Sequence, residues 1–310
     1  RVSPDIIITD WHYTAPFGGT VRYFVENGFE VHAVTAAPVG ALRVNRGHHW
    51  IVAGTDRAAT EGALGAFNSN WEFHRGQFFD NFWFFQGLAA ERQWTDRPHD
   101  YLAYGGRFSS RFWGVDRDYY SSLGSLLETI PDQGRPWLFD SHVLEPLPAR
   151  MRFDTIELAG CVRDRAAALR RRARRNRDTL RALDMPAIIL EYLGQRALGM
   201  TRVDQALSRE QKRPALAALG TVRRSAQAVS DGLQRGYRHY GGAVVDRQRI
   251  EEQLRALDCL RDLLGDTAAS RLPALTPARR LHAVNQRLQD AEMPGPLRAF
   301  TISPLLPAAR

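Results

Sequence analysis

The run Asp5-Ile6-Ile7-Ile8-Thr9-Asp10-Trp11-His12-Tyr13 decides how the rest of the chain is read. Its body is a short, β-branched apolar stretch, the pattern of a strand buried on both faces in a parallel sheet. Its end turns polar and aromatic. Gly18-Gly19 then opens a helix over 20–27, and Gly28 closes it. A second, Val-rich strand follows over 29–36. Pro38 and Gly40 begin a loop through Asn45 and Gly47. A helix over 49–62 comes next, with Thr55-Asp56 as a point where it breaks. The third strand runs over 63–71 and the third helix over 78–94.

This is βα-βα-βα. Repeated units of that kind imply parallel strands, because each crossover must pass over a face of the sheet. Three units cannot close a barrel. We therefore expect the last three βα units of a (β/α)8 TIM barrel, in residues 1–120, of a fold that is α/β plus all-α. Pro131, Pro136, Pro146 and Pro148 mark an irregular link after it. From 154 to 264 the pattern is of long amphipathic helices, with breaks expected near Met185-Pro186, at 194–199 and at Gly241-Gly242. A last helix is expected over 277–291. Residues 121–294 are thus read as a C-terminal helical bundle, and 295–310 as an extended tail.

The chain of 310 residues carries a formal net charge of +8, and Lys212 is its only lysine. The excess charge lies in the second half. Its densest run is Arg170-Arg171-Arg172 with Arg174, Arg175 and Arg177. Leu158, Val162, Leu169, Ala173, Leu180 and Leu183 recur there at helical spacing, which makes most of the arginines a solvated face. No apolar stretch reaches the roughly 20 residues that cross a bilayer, so no membrane partner is expected. Cys161 and Cys259 make neither a disulfide framework nor a metal site and are read as packed thiols. His48 and His49 are adjacent and point apart. No metal and no cofactor are expected. The N-terminus does not decide between cytoplasm and secretion.

In a parallel barrel the chemistry sits at the C-terminal ends of the strands. Asp10, Trp11, His12 and Tyr13 stand at the first of these ends. Thr35 stands at the second, with Asn45 in the loop beyond. Asn68, Asn70, Trp71 and Glu72 stand at the third, with His74 close by. Trp and Tyr can stack on the apolar faces of a pyranose, while Asp, Glu and Asn bond its hydroxyls in fixed directions. That distribution fits a carbohydrate substrate.

Two stretches carry a family likeness: 65–72, ending Asn70-Trp71-Glu72, and 87–94, with Glu91-Arg92 and Trp94. Together with Trp11-His12-Tyr13 they resemble the end of the barrel in family 20 glycoside hydrolases, the β-N-acetylhexosaminidases. The likeness covers residues 5–94. It implies a retaining, substrate-assisted hydrolase acting on O-glycosyl bonds. The substrate's acetamido oxygen would attack the anomeric carbon, a Glu would serve as acid and then base, and an Asp would orient the acetamido group. By the same likeness Tyr13 is the candidate catalytic contact, at the acetamido carbonyl. Asp10, Trp11, Asn45, Asn70, Trp71 and Glu72 are the candidate substrate-binding residues.

Two departures qualify the likeness. Trp71 and Glu72 are adjacent where the family separates them by one residue, so in a strand they point to opposite faces. The family's Asp-Glu pair comes from its fourth strand, whereas this chain enters at the sixth. Glu61 and Glu91 sit in helices, and Glu91-Arg92 reads as a structural pair. The catalytic acid is therefore expected from an N-terminal barrel segment or partner chain, and this chain alone is expected to be inactive. A non-catalytic carbohydrate-binding or scaffold protein is the first alternative. An Arg-rich helical nucleic-acid binder is the second, although nucleic acid is not the expected partner. Gly18-Gly19-Thr20 as a phosphate loop is a weak signal. Association of copies through the helical domain stays open.

Overall fold

The computed structural model describes residues 3, 5–12, 17–36, 47–69, 78, 80, 82–95, 99–116, 143–144, 147, 153–240, 244–265, 283–284 and 286–287. The fold is α/β plus all-α: mostly helix, with a three-stranded parallel sheet. Strands β1 (Ile7–Trp11), β2 (Glu30–Ala36) and β3 (Gly65–Ser69) lie side by side in sequence order. Helices α1 (Thr20–Glu26) and α2 (Gly47–Thr60) make the two crossovers, and α3 (Trp83–Trp94) follows β3. Gly28, at φ +85°, ends the first crossover as a left-handed residue after α1. Thr55 and Asp56 do not interrupt α2. Thr55 is buried, and Asp56 pairs with Arg92 of α3.

Both crossovers cover the same face of the sheet. Val31 and Ala33 of β2 are buried in one cluster with Phe17, Val21 of α1 and Ala58 of α2, joined by Ile8 of β1 and Ala66 next to β3's start. Gly54 of α2 lies directly over Thr35, whose Cγ2 would be 2.9 Å from an added β-carbon. Side chains alternate along a strand, so the opposite face carries Ile7, Thr9, Trp11, His32, Val34 and Phe67.

By contacts the chain divides into two compact units. The first holds residues 1–135, 157–190 and 232–243, and the second the remainder. In the first, α4 (Tyr101–Phe108) runs into a π-helical turn, Ser109–Trp113. Asp100 caps α4 by accepting from the Ala103 amide at 3.1 Å. Tyr104 donates its hydroxyl to the Phe84 carbonyl at 2.5 Å. That close approach needs Gly87, where a β-carbon would stand 2.7 Å from the Tyr104 oxygen. Helix α5 (Phe153–Arg172) and the 3-10 segment Arg177–Leu183 carry the arginine run. Val162, Leu169, Ala173, Leu180 and Leu183 are buried and Leu158 is half-buried, while Arg171, Arg172, Arg174, Arg175 and Arg177 are exposed. The exposed and buried positions follow the expected spacing, but the helix ends at Arg172, and 173–176, with Asn176 left-handed, make a break that was not expected. The Asn176 amide donates to the Phe112 carbonyl at 2.8 Å, and the Arg174 amide to the Trp113 carbonyl at 2.8 Å. These bonds tie the 3-10 segment to the π-helical turn.

Helix α6 (Asp184–Ser208) runs without interruption through Met185-Pro186 and Gly194 to Gly199, where breaks were expected. Pro186 falls in the first turn, where the helix asks for no amide donor. The helix ends instead near Glu210, which is left-handed at φ 56°. Helices α7 (Lys212–Tyr240) and α8 (Val244–Gly265) follow, and the break expected at Gly241-Gly242 lies outside the described residues.

In the second unit Gly199 lets α6 and α7 touch. Arg223 of α7 grips Asp258 of α8 with two bonds, at 2.7 and 3.0 Å. Arg196 is fully buried and donates to the Val143 carbonyl at 3.0 Å. Beside it Tyr192 bonds Gln253, and burial pushes the Tyr192 phenol above its ordinary value. Cys259 is buried, but Cys161 is solvent-exposed and not the packed thiol expected. No described helix is long and apolar enough to cross a membrane. The last helix and the tail expected after 276 lie outside the described residues, apart from isolated positions.

Candidate functional site

The C-terminal ends of the three strands form one site. At β1 the pleat sends Asp10 and Trp11 to opposite faces. Asp10 points to the helix-covered side. Its Oδ2 accepts from the Thr20 hydroxyl at 2.5 Å, and its Oδ1 lies 3.1 Å from His12 Nε2. His12 Nε2 is also 3.1 Å from the Thr20 oxygen. The hydroxyl has one proton and gives it to Asp10, so toward His12 it can only accept. Nε2 is therefore the protonated ring nitrogen, donating to both. The three side chains close a triangle between the end of β1 and the first residue of α1. Phe17 packs on the imidazole with ring centroids 4.6 Å apart, and the His12 amide extends the ladder to Val34.

Trp11 stands on the other face. It pairs in register with Val34, which pairs with Phe67. The row is thus Trp11-Val34-Phe67, running straight across the sheet. Trp11 is 52% exposed and Phe67 51%, although Val34 between them is only 3% exposed. Ile7, at the other end of β1 on this face, is 54% exposed. His32 stacks on Phe67 with centroids 4.9 Å apart and planes 22° from parallel. Its Nδ1 is buried without a hydrogen-bond partner among the described residues. Gly65 keeps that position open, since a β-carbon there would be 3.2 Å from His32 Nδ1.

Between β2 and β3, Thr35 Oγ1 lies 3.1 Å from Asn68 Oδ1 and 3.3 Å from the Phe67 carbonyl. Ser69 donates to the Thr35 carbonyl at 3.4 Å. These bonds lock the two strand ends at one height.

Of the site residues expected from sequence, the structure brings Asp10 and Trp11 to the end of β1 but on opposite faces. Tyr13, Asn45, Asn70, Trp71 and Glu72 lie outside the described residues. Phe67 and Thr20 stand at the candidate site, and His32 stacks under Phe67 two residues before the row of Trp11, yet none of the three was singled out. Period-two spacing could have found two of them, because Phe67 shares the face of Ser69 and His32 that of Val34. The two helix carboxylates are engaged elsewhere. Glu61 is buried, pairs with Arg57 and accepts from the Arg22 amide at 3.4 Å. Glu91 pairs with Arg107 of α4 at 2.5 Å, and Arg92 pairs with Asp56. Glu91 and Arg92 are structural, as expected, but with those partners rather than with each other: at adjacent helix positions they face different neighbours.

Near the Asp56–Arg92 pair His99 is half-buried, and its two buried ring nitrogens have no hydrogen-bond partner among the described residues. Burial first, and the Arg92 cation second, hold its imidazole below the ordinary value. Among the described residues Asp10 is therefore the carboxylate at the strand ends, and it is committed to Thr20 and His12. No protein-family model matches the chain, and no curated protein sequence matches it.

Proposed function

We propose that residues 1–95 form an arc of a glycoside hydrolase barrel of the β-N-acetylhexosaminidase type. In this reading the catalytic Asp-Glu pair is supplied by polypeptide outside these 310 residues, whether in the same chain or in a partner. The observation that supports it is the single-sided winding. Three consecutive parallel strands keep sequence order, both crossovers lie on one face, and the other face holds half-exposed Ile7, Trp11 and Phe67. A doubly wound sheet covers both faces with helices. A barrel covers one and turns the other inward, where further strands fill it.

The sugar would lie over the strand ends on that inward face. Trp11 would stack on an apolar pyranose face. Tyr13 would bond the acetamido carbonyl, and Asn45, Asn70, Trp71 and Glu72 would line the subsite, as the family likeness implies. The acetamido oxygen would bond to the anomeric carbon while the glycosidic oxygen leaves with a proton from the supplied Glu. Water, deprotonated by the same Glu, would then open the resulting ring with retention. Asp10 would not touch the sugar. Held by Thr20 and His12 on the helix side, it would position the strand end that carries Trp11.

The deciding experiment assays an aryl N-acetyl-β-hexosaminide with residues 1–310 alone and with whatever polypeptide copurifies from the native source. Hydrolysis only in the assembly, lost on Trp11→Ala, is expected. Turnover by the chain alone, or an assembly indifferent to Trp11, overturns the reading. A non-catalytic sugar binder is the second reading, favoured by the exposed Trp11-Phe67 row with no free carboxylate beside it among the described residues. It predicts N-acetylhexosamine binding by the chain alone and no hydrolysis in any assembly.

A further inference from the structure

Far along the chain from the strand ends, but within the first unit, four helical segments line a cavity of 1130 Å³. Five guanidinium groups line it: Arg163 and Arg170 from α5, Arg181 from the 3-10 segment, and Arg235 and Arg238 from α7. Two carboxylates, Asp164 and Asp184, line it as well, for a formal excess of three positive charges in the lining, of which Arg181 also pairs with Asp178 at 3.3 Å. Arg170 and Asp184 hold each other at 2.6 Å across two of the segments. Helical spacing puts Arg163 and Arg170 on one face of α5, Arg181 and Asp184 one turn apart, and Arg235 one turn after Gly232.

Part of the lining is apolar. Met185 and Ile188 of α6 supply it, together with Phe78. Gly232 and Gly236, also one turn apart, strip α7 of side chains there. A β-carbon at Gly232 would be 2.9 Å from Met185 Sδ, and one at Gly236 would be 2.0 Å from Phe78 Cζ. The two glycines therefore let Met185 and Phe78 lie against bare helix, beneath the arginines. Phe78 is steadied edge-on by Tyr237 at 5.5 Å.

We propose that this cavity binds a small organic phosphate ester bearing two or more phosphoryl charges. Its anionic groups would lie among the arginines and its ring or chain against Met185 and Ile188. Arginine presents a planar fork of donors that fits phosphate oxygens two at a time. A single carboxylate would neutralise only one of the three surplus charges, whereas a diphosphate matches them. The volume lies slightly above the usual range of small-ligand pockets. A nucleic-acid surface would instead be a convex basic stripe. The run that has that character, Arg171 to Arg177, does not line the cavity. The proposal does not rest on the sugar-site reading, and its test reads a different part of the molecule.

The test titrates the full chain with pyrophosphate, ATP, inorganic phosphate and a single-stranded oligonucleotide at one fixed ionic strength. Calorimetry gives affinity and thermal melting gives stability. Pyrophosphate and ATP are expected to bind and to raise the Tm, and ATP more tightly than inorganic phosphate. The double variant R235Q/R238Q, at two exposed positions, is expected to weaken both at least about tenfold, with the unliganded Tm unchanged. Ala167→Phe fills the cavity without changing charge and is expected to abolish binding. If Ala167→Phe unfolds the chain, the arginine variant still decides. No binding of either probe at low salt overturns the proposal, as does affinity unchanged in R235Q/R238Q. An oligonucleotide that binds more tightly than ATP, and keeps its affinity in Ala167→Phe, also overturns it and favours a nucleic-acid surface.

Discussion

Trp11 and Phe67 stand in one cross-strand row, either side of Val34, on the face of the sheet opposite α1 and α2. Each is half exposed, so neither contributes a full side chain of burial to the folding of this chain. Trp11→Ala or Phe67→Ser should therefore cost no more than about 1–2 kcal/mol in urea unfolding of residues 1–310. In the catalytic assembly proposed above, Trp11→Ala should lower kcat/KM by about 100-fold, roughly 2.7 kcal/mol of lost transition-state binding. A large stability loss with undiminished turnover would make Trp11 a core residue rather than a sugar platform.

Gly199 and Val222 define the tightest helix crossing of the second unit among its described glycines, since an added β-carbon would meet Val222 Cγ2 at 2.3 Å. Helices α6 and α7 would have to separate or Val222 change rotamer. Gly199→Ala should destabilise by about 1–3 kcal/mol despite its better helix propensity. Gly199→Ala combined with Val222→Ala should recover part of that loss. Additive losses in the double variant would refute a direct clash.

Arg92 is buried on α3 and is neutralised by Asp56 of α2, which is half exposed. Asp56→Ala leaves a buried cation with its nearest anion gone. Solvent at the Asp56 end screens the pair, so the expected cost is about 1–3 kcal/mol rather than that of a fully buried pair. Arg92→Met should cost less than Asp56→Ala, because it removes the charge along with its partner. The reverse order, measured by chemical denaturation, would show that the guanidinium has other anions to use.

His99 gives a pH dependence of definite sign. Its folded-state value is held below 6.5, by burial and then by Arg92. The folded chain therefore binds fewer protons than the unfolded chain in that range, and stability rises with pH. The contribution is complete above 6.5 and is lost as pH falls through 6.5 toward the folded value. His99→Phe should leave stability at about pH 7.5 little changed and flatten its decline toward about pH 5.5. An identical pH profile for the variant would assign that decline to other groups.

The first 95 residues were legible because their signals are local. Val-rich β2, the glycine pair before Thr20 and the left-handed Gly28 each act on immediate neighbours, so strands and helices fall within a few residues of where periodicity puts them. The helical region misled where a residue's meaning depends on a distant partner. Gly199 reads as a break in isolation, yet it is a contact that only Val222 explains. Pro186 reads as a stop, yet it occupies the one turn of α6 that tolerates it. The true end of α6 near Glu210 carries neither Gly nor Pro. At the site, Asp10 and His12 share a face by simple alternation, but Thr20 joins them only through the fold. The arginine-lined cavity was invisible because its lining is gathered from four helical segments and Phe78, positions spread from 78 to 238 along the chain. The same arginines, taken one helix at a time, look like ordinary solvated charge.

Strand β1 is paired on one side only among the described residues. Its other edge, along Ile7 to Asp10, carries no strand among the described residues, and half-exposed Ile7 lies beside it. An edge of that kind accepts any strand that reaches it. Two isolated copies meeting edge to edge would satisfy the same groups that any further strand would, and the rate of that encounter grows with the square of protein concentration. Dilution, or co-expression with the completing polypeptide, should therefore decide the yield of soluble material, with temperature or salt secondary. A lysine at Thr9 would guard the edge without entering the helix-covered core.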